Sequence, residues 1–201
     1  ALPRRAVSSA ATLDRPAATP PTARMSTNGI FITAELTGPV GAQVRDLQLR
    51  FDPKLANELP PHITILGSSG AGPISPDTPL PLLRAQLAPV AEASPPLHLT
   101  FQRPLRFLGR EIVVLPIDPH GPIRALHERL KTAGLSYAIA RYPFTPHCTL
   151  NFYPQLTTAS LRALLAVRVE EPFTINRLRV YHTRAPQPPT HLFDLPLTGG
   201  G

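Results

Sequence analysis

Two short stretches of the chain place a histidine and a threonine two positions apart, directly after a proline. One reads Pro-His-Ile-Thr-Ile and contains His62 and Thr64, and the other reads Pro-His-Cys-Thr-Leu and contains His147 and Thr149. Both stretches are rich in apolar and β-branched residues, which favours β-strands. Because residues i and i+2 of a strand project from the same face, each stretch presents a histidine and a threonine together on one side.

These residue types suit acid–base chemistry on an anionic group. Histidine's reference pKa of about 6.5 lets one imidazole accept a proton near neutral pH while another donates one. Threonine hydroxyls supply hydrogen bonds to oxygens that gain charge during a reaction. Two such pairs facing each other across a cleft would surround one anion with two imidazoles and two hydroxyls. This chemistry requires no metal, no metal-ligand spacing is visible, and we expect no cofactor.

A third His-x-Thr occurs at His98, so the sequence offers three candidates for the two facing pairs. His98 lacks the preceding proline that the other two histidines share. Its counterpart in the second half of the chain falls near residues 173–175, which contain no histidine. We therefore predict that His98 is an exposed or hydrogen-bonded strand residue without a catalytic role. His127 falls next to the apolar face of a predicted helix, which favours a structural role, and nothing in the sequence marks His120, His182 or His191.

The second motif is surrounded by other residues with chemical potential. Cys148 is the only cysteine, which excludes an intrachain disulfide and a cysteine-built zinc site. It stands between the motif histidine and threonine, so alternation turns its side chain to the opposite face and predicts a core position. Tyr142, Phe144 and Phe152 are candidates to stack on a nucleobase, with ordinary packing as the alternative.

Composition limits the class of protein. The 201 residues are 42% hydrophobic and 16% charged, with 27 prolines, which suits one sizeable domain with many loop and strand boundaries. No apolar run approaches the roughly 18–20 residues that span a bilayer, so we expect no membrane association. The single cysteine is compatible with a reducing cytoplasm, where we expect the protein to act as a monomer. The formal net charge of +7 favours an anionic partner such as RNA or a nucleotide, and is equally compatible with a basic surface.

The chain begins with a segment unlike the rest. Residues 1–24 are rich in alanine, proline, threonine, serine and arginine and show no apolar periodicity. We expect this segment to be a disordered tail or a tag, with the natural start at Met25. The alternative is an organellar transit peptide, since such segments are rich in arginine and poor in acidic residues.

After this tail, each half of the chain repeats the order strand, helix, His-x-Thr strand, helix, strands. Besides the two motif strands, strands are predicted at residues 30–36, 97–101, 105–108, 111–117, 173–175, 178–183 and 191–197. Helices are predicted from Gly38-Pro39 to Asp52-Pro53, over residues 82–91, from Pro122 to Gly134, and after Thr157 or Thr158. The segment between Asp52-Pro53 and the first motif is predicted to be a loop, and Pro89 predicts an early end of the second helix. The repeated order predicts an internal duplication within residues 25–201, with halves at about residues 30–110 and 111–197.

The paired motifs, one in each half, resemble the signature of the 2H phosphoesterase superfamily. Within it, residues 51–67, FDPKLANELPPHITILG, and the later stretch FTPHCTL resemble bacterial 2′-5′ RNA ligase-like proteins, also called RNA 2′,3′-cyclic phosphodiesterases. The resemblance covers roughly residues 30–197. It implies an α+β fold, a bilobal and pseudo-symmetric duplication in which two antiparallel sheets flank a central cleft. Helices would lie on the outside, and each lobe would carry one motif on a central strand.

The resemblance also implies an activity. It suggests a metal-independent enzyme of the RNA 2′,3′-cyclic 3′-phosphodiesterase type that acts on RNA ends or small oligonucleotides, with reversible 2′-5′ RNA ligation as a further expectation. The catalytic residues would be His62, Thr64, His147 and Thr149. By analogy with the family, the first histidine would act as acid and the second as base in one direction. Two alternatives stay open: a hydrolase of another cyclic or 2′-5′ linked nucleotide, and an RNA- or nucleotide-binding module with vestigial activity.

The chain departs from the family directly after the second motif. Close relatives often carry an arginine there that helps to hold phosphate, whereas this chain has Asn151 and Phe152. Phosphate contacts must then come from the threonines, from backbone amides or from a basic residue elsewhere. The candidates are Arg106, Arg110 and Arg141.

Overall fold

The computed structural model describes residues 28–107 and 109–200. The tail predicted over residues 1–24 and the start predicted at Met25 lie outside this part of the chain. The helices are α1 (Gly38–Phe51), α2 (Pro53–Glu58), α3 (Leu80–Glu92), α4 (Gly121–Lys131) and α5 (Thr158–Leu165). The strands are β1 (Asn28–Glu35), β2 (His62–Leu66), β3 (Leu97–Leu99), β4 (Leu105–Arg106), β5 (Val113–Pro116), β6 (His147–Asn151), β7 (Phe173–Ile175), β8 (Arg177–Arg184) and β9 (Gln187–Pro196). No helix in the described residues is long and apolar enough to cross a membrane.

Seven strands form one antiparallel sheet, in the order β4-β5-β6-β2-β1-β8-β9. The remaining two strands, β3 and β7, pair antiparallel in a separate small sheet. An antiparallel sheet of this kind packs one face on the core and leaves the other open for function. The helices and the two antiparallel sheets confirm the α+β class that the sequence predicted.

The two motif strands, β2 and β6, are neighbours at the centre of the large sheet. Ile63 is the Cα partner of Cys148 in this antiparallel pair, and no second partner pair joins the two strands within the described residues. The sequence led us to expect each motif on the central strand of a separate lobe. The strands of the two halves instead join into one sheet, because the facing backbone edges of β2 and β6 satisfy each other's hydrogen-bonding groups.

The elements follow one another in the same order on the two sides of this junction. Apart from α2, the first half runs β1, α1, β2, α3, β3, and the second runs β5, α4, β6, α5, β7. In the sheet, β1 flanks β2 as β5 flanks β6, and β3 pairs with β7. This correspondence supports our proposal that residues 25–201 form one domain built by internal duplication, with halves at about 30–110 and 111–197.

The core lies against one face of the large sheet. On β2 and β6 the side chains that alternate with the motif residues are fully buried, namely Ile63, Ile65, Cys148 and Leu150. They belong to a single apolar cluster that also includes buried residues of α1, α3, α4 and α5. Burying one such aliphatic side chain contributes roughly 1.5–3 kcal/mol. The core therefore holds β2 and β6 in place and turns the motif side chains toward the opposite face.

The helix α2 was not predicted, because the sequence analysis assigned its residues to a loop. Asp52 Oδ1 accepts a hydrogen bond from the Leu55 backbone N–H at 3.0 Å, and Pro53 occupies the first position of the helix. An aspartate cap followed by proline is a strong local signal for a helix start, and here it outweighs the shortness of the segment. The helix places Leu55 and Leu59 beside the start of β2.

The helix α3 also differs from its prediction, since it continues past Pro89 to Glu92. Proline inside a helix removes one backbone hydrogen bond and crowds the preceding turn. Leu83, Leu87 and Ala91 form a buried stripe on this helix, and their packing keeps the last turn helical.

Candidate functional site

Each motif histidine is held by the backbone of its own strand. His62 Nδ1 lies 2.8 Å from the carbonyl oxygen of Pro60, and His147 Nδ1 lies 2.7 Å from that of Thr145. In both motifs the carbonyl two residues earlier accepts the Nδ1–H, which sets the tautomer and the orientation of the ring. Nε2 is therefore the nitrogen left to exchange a proton with a substrate.

The strand register brings the two pairs together. Given the antiparallel partner pair at the centre of β2 and β6, His62 lies beside Thr149 and Thr64 lies beside His147. Side chains opposite each other on one face of such a pair are close neighbours, and diagonal ones are within reach of long side chains. The four polar residues thus form one compact group on the face opposite the core.

The threonine hydroxyls are available for a ligand. Thr64 and Thr149 are both half-buried, and among the described residues neither hydroxyl forms a hydrogen bond with another group. A hydroxyl that has no internal partner readily donates to an incoming acceptor. Two such donors on neighbouring strands, flanked by imidazoles, suit the non-bridging oxygens of a phosphate.

Burial lowers the pKa of both motif imidazoles. For His62 the loss of contact with water is the largest effect, while the hydrogen bond to Pro60 and the Glu35 carboxylate act in the opposite direction. For His147 burial again dominates, and the positive charge of a protonated His62 lowers the pKa further. Because protonation of one ring opposes protonation of the other, the state in which both rings are protonated is disfavoured.

The two histidines differ in what lies opposite them. Glu35 on β1 is the strand partner of His62, whereas Pro116 on β5 is the partner of His147. One oxygen of the Glu35 carboxylate is buried and forms an ion pair with Arg179 on β8. A carboxylate beside an imidazole favours the protonated ring. The site is therefore electrostatically asymmetric, with negative charge next to His62.

A pocket of about 200 Å³ opens beside this group, at the end of β6 and the start of β2. His62 and Thr149 line it together with Gln48 from α1, two leucines of the α2 region and two aromatic residues that follow β6. Gln48 is 3% exposed, and its Nε2 donates a hydrogen bond of 2.7 Å to the Thr149 carbonyl oxygen. The pocket is thus continuous with the group of four polar residues, and Gln48 joins it to the second motif.

Asp52 organises the far side of the pocket. It is fully buried, and its Oδ2 accepts hydrogen bonds from the backbone N–H groups of Phe152 at 2.7 Å and Tyr153 at 2.9 Å. Its Oδ1 caps α2. One carboxylate therefore joins the turn after the second motif to the helix before the first.

Asn151, which precedes this turn, is structural. It is fully buried, and its Nδ2 donates hydrogen bonds to the carbonyl oxygens of Glu111 at 2.8 Å and Pro154 at 3.2 Å. The departure from the family pattern thus has a local consequence. The asparagine supports the turn, and the aromatic residue after it faces the pocket.

Three residues that shape the site were not predicted from the sequence, namely Glu35, Gln48 and Asp52. Gln48 interrupts the buried stripe of α1 formed by Val40, Gly41 and Val44, and a polar residue in such a stripe is a signal for a specific buried contact. Asp52 stands before a proline, the usual arrangement of a helix cap. Glu35 carries no signal of its own, because its role depends on the strand pairing.

The three arginines proposed for phosphate binding do not line the pocket. The Arg106 guanidinium forms an ion pair with Glu111 and donates from Nε to the Arg110 carbonyl oxygen at 2.9 Å, at the edge of the large sheet. Arg110 is exposed in the turn after β4, and Arg141 is exposed in the segment that precedes β6. Their contact with a substrate stays a prediction.

The three aromatic candidates have different positions. Phe152 is 50% exposed and lines the pocket, and Tyr142 is 54% exposed in the segment before β6. Phe144 is buried, with its ring stacked on His127 at 4.0 Å between centroids. Core contacts therefore occupy the Phe144 ring, which is the packing alternative that the sequence left open.

His98 and Cys148, for which no catalytic role was predicted, do not belong to the group of four polar residues. His98 is exposed on β3 in the small sheet, where its Nδ1 lies 2.9 Å from Thr174 Oγ1. This agrees with the prediction of a hydrogen-bonded strand residue. Cys148 is fully buried, and burial raises the pKa of its thiol to about 12. A thiol of that kind is not a nucleophile at neutral pH.

An α+β fold that carries two histidine–threonine pairs on neighbouring strands defines a two-histidine phosphoesterase. The family model described as the 2′-5′ RNA ligase superfamily matches residues 37–187 of the chain. The chain therefore belongs to the 2′-5′ RNA ligase superfamily of 2H phosphoesterases, as the resemblance of its motifs indicated.

Solved structures show the same fold. The protein TT0787 of Thermus thermophilus is 16% identical, with a TM-score of 0.61 over 86% of this chain and 99% of that one. LigT of E. coli in complex with 3′-AMP is 19% identical, with a TM-score of 0.53 and the same coverage of both chains. LigT of E. coli in complex with ATP is 20% identical, with a TM-score of 0.52 over 85% of this chain and 98% of that one. A search of curated proteins gives no match.

Proposed function

We propose that the protein is a metal-independent phosphodiesterase that opens 2′,3′-cyclic phosphates at RNA ends or on small oligonucleotides, and that it also runs the reverse 2′-5′ ligation. The observation that carries the proposal is the grouping of two imidazoles and two unoccupied hydroxyls on one face, set by the pairing of β2 with β6. Membership in the superfamily supports phosphoester chemistry. The choice of a cyclic phosphate is our inference.

The geometry suits in-line displacement at phosphorus. A water molecule would attack the phosphorus atom of the cyclic diester while one imidazole Nε2 takes its proton. The ester bond to one ribose oxygen would break, and the second imidazole Nε2 would give that oxygen a proton. The hydroxyls of Thr64 and Thr149 would donate hydrogen bonds to the non-bridging oxygens as their charge grows. The same displacement with a ribose 5′-hydroxyl in place of water would break the bond from phosphorus to the 3′-oxygen, which takes the proton, and would form a 2′-5′ bond.

We assign the acid role in hydrolysis to His62 and the base role to His147. Glu35 lies opposite His62 and favours its protonated form. A protonated His62 in turn opposes protonation of His147. A pair in which one ring holds the proton and the other lacks it is the state that the displacement requires.

The test is product analysis with purified protein in EDTA on three substrates side by side: an oligonucleotide with a 2′,3′-cyclic phosphate end, nucleoside 2′,3′-cyclic monophosphates, and 2′-5′ oligoadenylate. We expect the cyclic phosphates to be opened to monoesters at an unchanged rate after chelation. Turnover of 2′-5′ oligoadenylate alone would show that the substrate is a linear 2′-5′ linked oligonucleotide and not a cyclic phosphate. Binding of RNA without turnover of any substrate would identify a binding module instead.

A further inference from the structure

The pocket next to the catalytic group, called the slot below, is lined by both apolar and polar side chains. Leu55, Leu59 and Pro60 line it from the α2 side, and Phe152 and Tyr153 line it from the turn after β6. Its volume of about 200 Å³ is below the roughly 300–1,000 Å³ of sites that enclose a drug-sized ligand. A space of this size and lining suits one planar ring system rather than a whole nucleotide.

The aromatic wall of the slot is held in place before any ligand binds. The Phe152 and Tyr153 rings meet edge to face with centroids 5.0 Å apart. Their backbone N–H groups are anchored by the buried Asp52 carboxylate, and Lys54 Nζ lies 3.9 Å from the Tyr153 ring centroid. A positioned, half-exposed aromatic ring that lines a pocket is a common platform on which a base stacks.

Gln48 gives the slot a directional polar group. Its Nε2 donates to the Thr149 carbonyl oxygen, so Oε1 is the opposite end of the amide. Gln48 Oε1 is buried and has no hydrogen-bond partner among the described residues. A buried acceptor without a donor is unfavourable, and Gln48 is itself one of the residues that line the slot.

We propose that this slot is a nucleobase subsite in which Gln48 selects bases that carry an exocyclic amino group. The proposal rests on the proposed function, because the base belongs to the nucleotide whose phosphate lies against the two histidine–threonine pairs. His62 and Thr149 line the same slot, so a base there is joined through its ribose to a phosphate at the catalytic group. Phe152 supplies the stacking surface, and Gln48 Oε1 accepts the hydrogen bond from the amino group.

The first test compares cytidine and uridine 2′,3′-cyclic monophosphates, which are alike in size but carry an amino group and a carbonyl at the same ring position. We expect kcat/KM to favour cytidine by roughly three- to tenfold, the value of one neutral hydrogen bond. Gln48→Met removes the acceptor, and the ratio should fall to about one. A general loss of activity in this variant does not affect the ratio. Gln43→Met, at an exposed glutamine of the same helix that donates to the Arg168 carbonyl oxygen, should keep the wild-type ratio.

The second test separates stacking from phosphate binding. Phe152→Leu should raise KM several-fold for both cyclic nucleotides and leave KM unchanged for methyl riboside 2′,3′-cyclic phosphate, which has no base. Equal effects on all three substrates, or a cytidine-to-uridine ratio that survives Gln48→Met, would overturn the subsite.

Failure of the proposed function gives a different result. If no cyclic phosphate is opened, calorimetric binding of 3′-CMP and 3′-UMP to the same variants takes the place of turnover. A preference for 3′-CMP that disappears in Gln48→Met then supports the subsite although the proposed reaction is wrong. Turnover without any base preference overturns the subsite and leaves the proposed reaction intact.

Discussion

Ile63 on β2 faces Cys148 on β6 across the centre of the large sheet, and this pair sets the geometry of the candidate site. Both side chains are fully buried, so the histidine and threonine on either side of each must project from the opposite face. Two motifs from distant parts of the chain therefore meet through one pair of facing residues on neighbouring strands. The site depends on this register, because a shift by one residue would turn one pair into the core.

The two motif histidines are expected to be essential. His62→Ala and His147→Ala should each lower kcat on a 2′,3′-cyclic phosphate by at least about 100-fold, because each removes one proton-transfer group. Steady-state kinetics with circular dichroism as a check on folding provides the measurement. His98→Ala is the matched control and should retain nearly full activity. A loss at His98 equal to that at His62, in a folded variant, would show that the wrong pair was chosen.

The motif threonines are expected to act mainly in the transition state. Thr64→Val and Thr149→Val keep the side-chain shape and remove the hydroxyl, so kcat should fall by about 100-fold with little change in KM. Serine at either position should restore most of the rate. Thr174→Val, which alters the hydroxyl beside His98 in the small sheet, should have no effect. A change in KM alone would assign the hydroxyls to ground-state binding.

Activity should follow a bell-shaped pH profile in which Glu35 sets one limb. Burial lowers the pKa of both histidines, so the maximum of kcat/KM should lie below about pH 6.5. Glu35 raises the pKa of His62 against this effect. In Glu35→Gln the pKa of His62 should drop further, because the carboxylate that raises it is gone. Arg179 also loses its partner, and its uncompensated positive charge acts in the same direction. The basic limb, where the proposed acid loses its proton, should move to lower pH.

The control for this pH experiment is Glu92→Gln, at an exposed carboxylate at the end of α3. Its profile should match that of the wild type. If Glu35→Gln moved the acidic limb and left the basic limb in place, His62 would be the base and the roles of the two histidines would be exchanged.

Asp52 is expected to contribute strongly to stability. Asp52→Ala leaves the backbone N–H groups of Leu55, Phe152 and Tyr153 without their acceptor. Hydrogen bonds to a charged group are worth about 1.5–3 kcal/mol, so the free energy of unfolding should fall by about 2–4 kcal/mol in urea titrations. Asp46→Ala, at an exposed position of α1, should change it by less than about 0.5 kcal/mol. Equal stability of the two variants would contradict the role of Asp52.

Stability should decrease at acid pH, in part through His127. This residue is fully buried, its Nδ1 lies 2.8 Å from the Ile65 carbonyl oxygen, and burial lowers its pKa. The unfolded chain then binds more protons below about pH 6.5, so the free energy of unfolding falls as the pH drops from 6.5 through the folded-state pKa. In His127→Gln this slope should be smaller, whereas His120→Gln, at an exposed site, should keep it. An unchanged slope in His127→Gln would show that His127 is not protonated more readily on unfolding.

Much of the candidate site could be predicted from the sequence because its signals are local. Alternation along a strand predicted that His147 and Thr149 share a face and that Cys148 is buried, and the structure shows this arrangement. Most helices and strands were predicted close to their observed bounds for the same reason. The helix α2 was missed although its cap at Asp52 is a local signal.

What the sequence by itself determined was the class of protein and the residue types at its site, since short motifs and apolar periodicity are properties of the chain alone. Only the tertiary structure decided that the two motif strands join in one sheet. It also placed Glu35 opposite His62, and it placed Gln48 under Thr149. The physical reason is that these relationships arise between segments far apart in the chain. Strand pairing and helix packing bring them together, and no single position of the sequence specifies the register or the partner of a buried polar side chain.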